Sequence, residues 1–154
     1  MPQRGGTCEI VNRKVSFSFW VGRKCEAGLC LCGTEVKSLR MGEASLEGSF
    51  VRCGKDGAPY LWNAHIKDYA FGNIHNHEPS RPRRLLLHKP EIREIKWAFE
   101  RKGESVLPLK IYFKHGLAKV EIAFCKGKKL HDNREDWKTK QRERETQRAL
   151  HHRK

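Results

Sequence analysis

No stretch of this 154-residue chain approaches the roughly 20 consecutive apolar residues that a membrane-crossing helix needs, and the opening MPQRGGTCEI has no apolar signal core. A soluble, cytoplasmic protein is expected. The six cysteines, Cys8, Cys25, Cys30, Cys32, Cys53 and Cys125, include no C-x-x-C pair, so the usual zinc and redox spacings are missing. Cys30 and Cys32 lie two apart in a stretch that reads as a strand, and such neighbours seldom supply two corners of a tetrahedral metal site. Reduced, partly buried thiols are expected, with no metal and no cofactor. The adjacent pair His131-Asp132 is accompanied by no second acid, carboxylate cluster or nucleophile elbow. Sequence neighbours do not ordinarily form a hydrogen-bonded catalytic dyad, so no enzyme is expected.

Acidic residues are in deficit: 18 Asp and Glu stand against 32 Lys and Arg, a net charge of +14. From Gly127 the chain runs GKKLHDNREDWKTKQRERETQRALHHRK, where apolar residues such as Trp137, Ala149 and Leu150 are too sparse for a core-facing helical stripe. A segment of this kind gains order by laying its charges along an anionic surface, most commonly a nucleic acid. An acidic membrane would require an apolar face, which Lys138 to Arg148 lacks. Asp136 with Lys140 and Glu145 with Arg148 are spaced as helix neighbours worth a few tenths of a kcal/mol each. This predicts a tail that is disordered when free and helical when its charge is neutralised.

The apolar residues concentrate between Val15 and Phe124, enough for one core. Val15, Phe17 and Phe19 alternate with Ser16 and Ser18 as in a half-buried strand. Glu26-Ala27-Gly28 then reads as a polar turn, Leu29 and Leu31 as strand, Gly33 as a bend, and Thr34 to Leu39 as strand continued. Ser49 to Cys53 and Tyr60 to Ile66 form a hairpin around Gly54-Lys55-Asp56-Gly57. Tyr69 to Arg84 is an irregular basic loop, Lys89 to Arg101 a helix with Pro90 in its first turn and Gly103 as its stop, and Val106 to Phe113 with Ala118 to Phe124 a closing hairpin over His115-Gly116. The fold class predicted is mainly β, a small antiparallel barrel of the oligonucleotide-binding type with one inserted helix and a basic C-terminal tail. The expected parts are a flexible N-terminus over 1–11, a barrel over 12–126 and a tail over 127–154.

Within HNHEPSRPRRLLLHKPEI, prolines stiffen a loop that displays Arg81, Arg83 and Arg84, whose guanidinium groups can fork onto phosphates or stack on bases; a solvated loop would look the same. Glu35, Lys37 and Arg40 leave an otherwise apolar stretch, some as ion-pair partners. Glu26 on a basic surface repels phosphate but accepts from base amines or sugar hydroxyls, and a salt-bridge role is equally compatible. In the tail, Lys128, Lys129 and Arg134 can hold phosphates around His131.

The residues taken together resemble the SsrA-binding proteins, the SmpB family that partners transfer-messenger RNA in bacterial ribosome rescue. The likeness rests on Asn12-Arg13-Lys14, Glu26-Ala27-Gly28 leading to Gly33-Thr34-Glu35-Val36-Lys37-Ser38-Leu39-Arg40, Arg81-Pro82-Arg83-Arg84-Leu85-Leu86-Leu87-His88-Lys89, and Gly127-Lys128-Lys129 with His131-Asp132 and Arg134. The resemblance implies a barrel that clamps the tRNA-like end of transfer-messenger RNA and escorts it, with elongation factor Tu, to a stalled ribosome, as a monomer that does no chemistry. It implies RNA contacts at Asn12, Arg13, Glu26, Lys37, Arg81, Arg83, Arg84, Leu86 and His88. It further implies a ribosome-contacting tail, Lys128, Lys129, His131, Asp132, Arg134, Trp137 and Lys138, that enters the vacant mRNA channel at the small-subunit decoding centre. Arg84 stands where the family usually has lysine, Asn133 where lysine is common, and Cys25, Cys30 and Cys32 fall outside the pattern.

Overall fold

The structure, a computed structural model, describes residues 8–151 apart from the side chains of residues 130–133. Residues 1–7, most of the expected flexible N-terminus, therefore lie outside the described residues. The strands are β1 (Ile10–Val11), β2 (Phe19–Leu29), β3 (Ala44–Ser45), β4 (Phe50–Cys53), β5 (Pro59–Trp62), β6 (His65–Ile66), β7 (Arg83–Leu86), β8 (Glu104–Lys114) and β9 (Leu117–Gly127). The helices are α1 (Arg13–Ser18), α2 (Gly33–Arg40), α3 (Lys89–Glu100) and α4 (Leu130–His151), with a 3-10 turn at Asn73–His75. The main sheet runs β1-β8-β4-β5-β7-β2-β9, all antiparallel, and β9 pairs back onto β8, so six strands form a closed circuit of hydrogen bonding. Strands β3 and β6 pair separately.

Both expected hairpins are present, but the expected strand Tyr60 to Ile66 stops at Trp62, where Asn63 turns at a φ of 58°, and His65–Ile66 pairs with β3 instead. In the β4–β5 turn Gly57 takes a φ of 79°, and in the β8–β9 turn His115 and Gly116 take 51° and 77°, the two consecutive positive values of a type I′ turn whose twist matches its strands. Helix α3 follows its expected bounds to within one residue, and the Glu91 carboxylate accepts from the His88 N–H at 2.9 Å to cap it.

Three further expectations require correction. The stretch from Val15 to Phe19 is mostly helix: Val15 is buried and Phe19 packs beside it four residues on, whereas Phe17, at 55% exposed, faces water. Apolar residues at 15 and 19 satisfy period two and the i, i+4 of a helix equally. Thr34 to Leu39 is also helix, because Glu35, Ser38 and Leu39 form one buried face at i, i+3 and i+4 and the Glu35 carboxylate caps the Cys32 N–H at 2.8 Å. More than one helix therefore interrupts the strands. Glu26-Ala27-Gly28 is not a turn but the body of β2, with Glu26 outward and Ala27 in the core.

Around that core, Val51, Leu61, Leu85, Ile111, Val120 and Ile122 point inward. The described side chains of helix α4 contribute nothing to it: from Arg134 to His151 every one is exposed except the partly covered Asp136.

Candidate nucleic-acid interface

Pairing fixes which side chains leave the sheet. Leu61 faces Arg83 and Tyr60 faces Arg84 across β5 and β7, while Gly28 faces Leu86 across β2 and β7 and Lys119 across β2 and β9. Because side chains alternate, Arg83 and Leu85 point in and Arg84 and Leu86 out. Gly28 leaves room for Leu86, since a Cβ there would lie 3.1 Å from the Leu86 side chain and crowd it. Glu26, Arg84, Leu86 and His88 consequently line one open cleft of about 590 Å³, closed by Lys119, the β4–β5 turn and the first turn of α3. Leu86 is 57% exposed, an apolar contact presented to solvent beside cations and a carboxylate.

Glu26 is held rather than loose. The Tyr112 hydroxyl donates to one carboxylate oxygen and Lys114 approaches the other at 3.6 Å. The Tyr112 hydrogen bond, aided by Lys114, holds the Glu26 carboxyl below its ordinary value. Burial and the same carboxylate push the Tyr112 hydroxyl up to about 12, so at neutral pH it stays a donor. Sequence reasoning missed Tyr112, Lys119 and Asp56; only the pairing of β9 with β2 and of β8 with β9 could have brought the first two to Glu26.

The other expected RNA contacts lie elsewhere. Asn12 is structural, its amide donating to the carbonyls of Leu46 and Pro108 at 3.1 and 3.2 Å. Arg13 is exposed on α1, and Lys37 is exposed on α2 with its Nζ 5.1 Å from the centre of the Tyr69 ring. Arg83 is a correction. Its side chain is fully buried, donating to the Glu35 carboxylate at 2.8 Å, the Pro79 carbonyl at 2.8 Å and the Ala64 carbonyl. Arg81, partly exposed, grips the same carboxylate from Nε and Nη2 at 2.8 and 2.7 Å. Two arginines expected to face a partner are thus tied to Glu35, itself fully buried. His77, on the same loop, is buried between Thr34 and the Ile66 carbonyl.

At the root of the tail, the Lys128 side chain is only 4% exposed and is engaged within the protein: its ammonium lies 4.3 Å over the Trp20 ring, donates to the Ser16 carbonyl at 3.3 Å and pairs with Asp136. Lys129, Arg134, Trp137 and Lys138 are exposed, while the side chains of His131 and Asp132 lie outside the described residues. All six cysteines are free, and burial pushes the Cys25 and Cys125 thiols up to about 11. Among the described residues no group of three His, Cys, Asp or Glu is placed to hold a metal, and no helix is long and apolar enough to cross a membrane.

The chain is similar to known proteins over nearly its whole length. The family model described as SmpB protein matches residues 9–152. The SsrA-binding protein of Geobacter metallireducens is 51% identical over 142 residues, 92% of each chain, and that of Geobacillus thermodenitrificans is 43% identical over 153 residues, covering 99% of this chain and 98% of that one. A solved structure described as "tmRNA-SmpB: a journey to the center of the bacterial ribosome" is similar with a TM-score of 0.68 and 42% identity, over 83% of this chain and 93% of that chain.

Proposed function

The chain belongs to the SmpB family, and from that premise we propose that it binds the tRNA-like domain of transfer-messenger RNA and delivers it to stalled ribosomes for trans-translation. The observation that carries this reading is the convergence of Glu26, Arg84, Leu86 and His88, separated in sequence, on one outward cleft. A fixed carboxylate accepting from base or sugar, an arginine for phosphate and an exposed leucine for a ribose or base face suit a folded RNA read by shape. We read the closed circuit of strands as a barrel of the oligonucleotide-binding type.

The body, 12–126, and the tail, 127–154, divide the work. Helix α4 spans about 33 Å at 1.5 Å per residue, charged on all sides, and fits the role of a probe that competes with mRNA for an empty channel. With no core-facing stripe, it exchanges between helix and coil in the free protein and gains persistence on the ribosome. Elongation factor Tu joins through the alanine-charged RNA. The protein works as a cytoplasmic monomer and supplies binding, not catalysis.

The test compares affinity for the folded RNA with tagging on stalled ribosomes. Replacing Glu26, Leu86 and His88 together is expected to abolish RNA binding. Truncation after Lys129, which keeps β9 and the Lys128 contacts to Trp20 and Ser16, is expected to spare RNA binding and stop tagging; equal loss of RNA binding from both changes overturns the division. Unstructured oligonucleotides binding as tightly as the folded RNA would mark a generic single-strand binder instead.

A further inference from the structure

The outward face that carries the cleft continues past it. Arg52 of β4 stands opposite Tyr60 of β5, and Tyr60 opposite Arg84 of β7, so the three share one row, and Arg84 also lines the cleft. Two residues along β5, Trp62 leaves by the same face, its ring 6.2 Å from that of Tyr60 and tilted by 59°. The inward alternates, Val51 and Leu61, fill the core.

Each ring is fixed in place. The Tyr60 hydroxyl donates to Asp56 at 2.8 Å, and the Ala58 N–H donates to the same carboxylate at 3.2 Å, so the hairpin turn orients the tyrosine. The Trp62 indole N–H donates to the Arg52 carbonyl at 3.3 Å, and the Arg52 guanidinium lies 4.4 Å over the exposed Phe99 ring. Rings held in advance lose little freedom when a ligand stacks on them. Arg52, Arg84 and Lys96, whose Nζ approaches Gly57, make the surroundings cationic around Asp56. Aromatic rings between guanidinium groups suit unpaired bases, which stack on rings while their phosphates take the cations.

We propose that Arg52, Tyr60 and Trp62 form a second RNA contact, a stacking platform on β4 and β5 that receives one or two unpaired bases of the RNA whose folded part occupies the cleft. The platform rests on the RNA reading of that cleft. Its sharing of Arg84 with the cleft favours the same polynucleotide over a separate protein partner.

The full-length protein is bound to tRNA-like RNA substituted with 4-thiouridine, irradiated, and its crosslinked peptides mapped. Crosslinks are expected in residues 50–62 as well as 84–88. In parallel, Tyr60→Ala and Trp62→Ala are each expected to weaken binding roughly 5- to 150-fold without changing its salt dependence, the range for loss of one base stack. Tyr60→Phe, which keeps the ring, is expected to bind within about 3-fold of the parent, because the stacking face remains and only the hydrogen bond to the Asp56 carboxylate that orients it is lost. Should the unaltered protein fail to bind the RNA, the cleft reading falls and the platform with it. Should it bind, and lose binding on Glu26→Ala with Leu86→Ala, while crosslinks avoid residues 50–62 and both alanine variants keep full affinity, the platform alone is overturned. If an alanine variant folds poorly, the crosslink map of the unaltered protein decides.

Discussion

Glu35 shows how one carboxylate can decide the fate of two arginines. It accepts from Arg81, Arg83 and the Cys32 N–H, and these donors outweigh burial, which alone would raise it, to hold its carboxyl below the ordinary 4.5. A depressed carboxylate stabilises the fold fully above its unfolded value and loses that contribution as pH falls through the folded value. Thermal melts taken from pH 7 downward are therefore expected to hold steady until about pH 4.5 and then drop. Glu35→Gln is expected to cost about 3–5 kcal/mol at pH 7, since it strands a buried guanidinium, and to flatten that acid limb. Beside it, the Ser38 hydroxyl is buried with no partner among the described residues, so Ser38→Ala is expected to leave stability unchanged or higher in the same melts. At the cleft, Tyr112→Phe removes the donor that fixes Glu26 and is expected to weaken RNA binding about 2- to 10-fold, the worth of one hydrogen bond, with the melt little changed. The charge of Glu35 marked it in the sequence as an ion-pair candidate. Nothing local separated Arg83 from Arg84: both are cations after a proline, and only the register of β7 against β5 sends one to the core and the other to the cleft.

Elements were legible where their signal ran long or carried punctuation. The β8–β9 hairpin alternates over many residues on either side of His115-Gly116, and α3 has Pro90, Glu91 and Gly103 to bound it. The short stretches were not. Five or six residues around Val15 and Val36 fit either period, and long-range contacts chose: Asn12 fastened to Leu46 and Pro108 starts α1, and Glu35 drawn inward by two distant arginines turns 33–40 into a helix. The root of α4 obeys the same logic. Lys128, in the sequence one more cation for phosphate, is held by Trp20, Ser16 and Asp136 and thereby sets the direction in which the helix leaves the body. Lys128→Ala is expected to leave RNA affinity within about 3-fold while reducing tagging more strongly, because a cation already engaged by Trp20, Ser16 and Asp136 contributes little to the cleft and a misdirected helix must be reoriented on the ribosome. Spin labels on β9 and α4 are expected to show a broader distance distribution in that variant.

At the scale of the whole molecule, the charge that looked like a property of the tail belongs mostly to the body. Residues 130–154 carry eight Lys or Arg and five Asp or Glu, so a chain ending at Lys129 keeps +11 of the +14. Binding of a polynucleotide releases counterions in proportion to the phosphates neutralised, and the slope of log affinity against log salt counts them. If the cleft and its surrounding face hold the RNA, titrations across a salt series are expected to give steep and nearly parallel lines for the full chain and for the chain truncated after Lys129. If the tail were the principal RNA grip, its removal would take most of the slope with it. The tail's own role is expected in a different measurement, the competition between mRNA and protein for the ribosome, where truncation removes the occupant of the channel and leaves the carrier of the RNA intact.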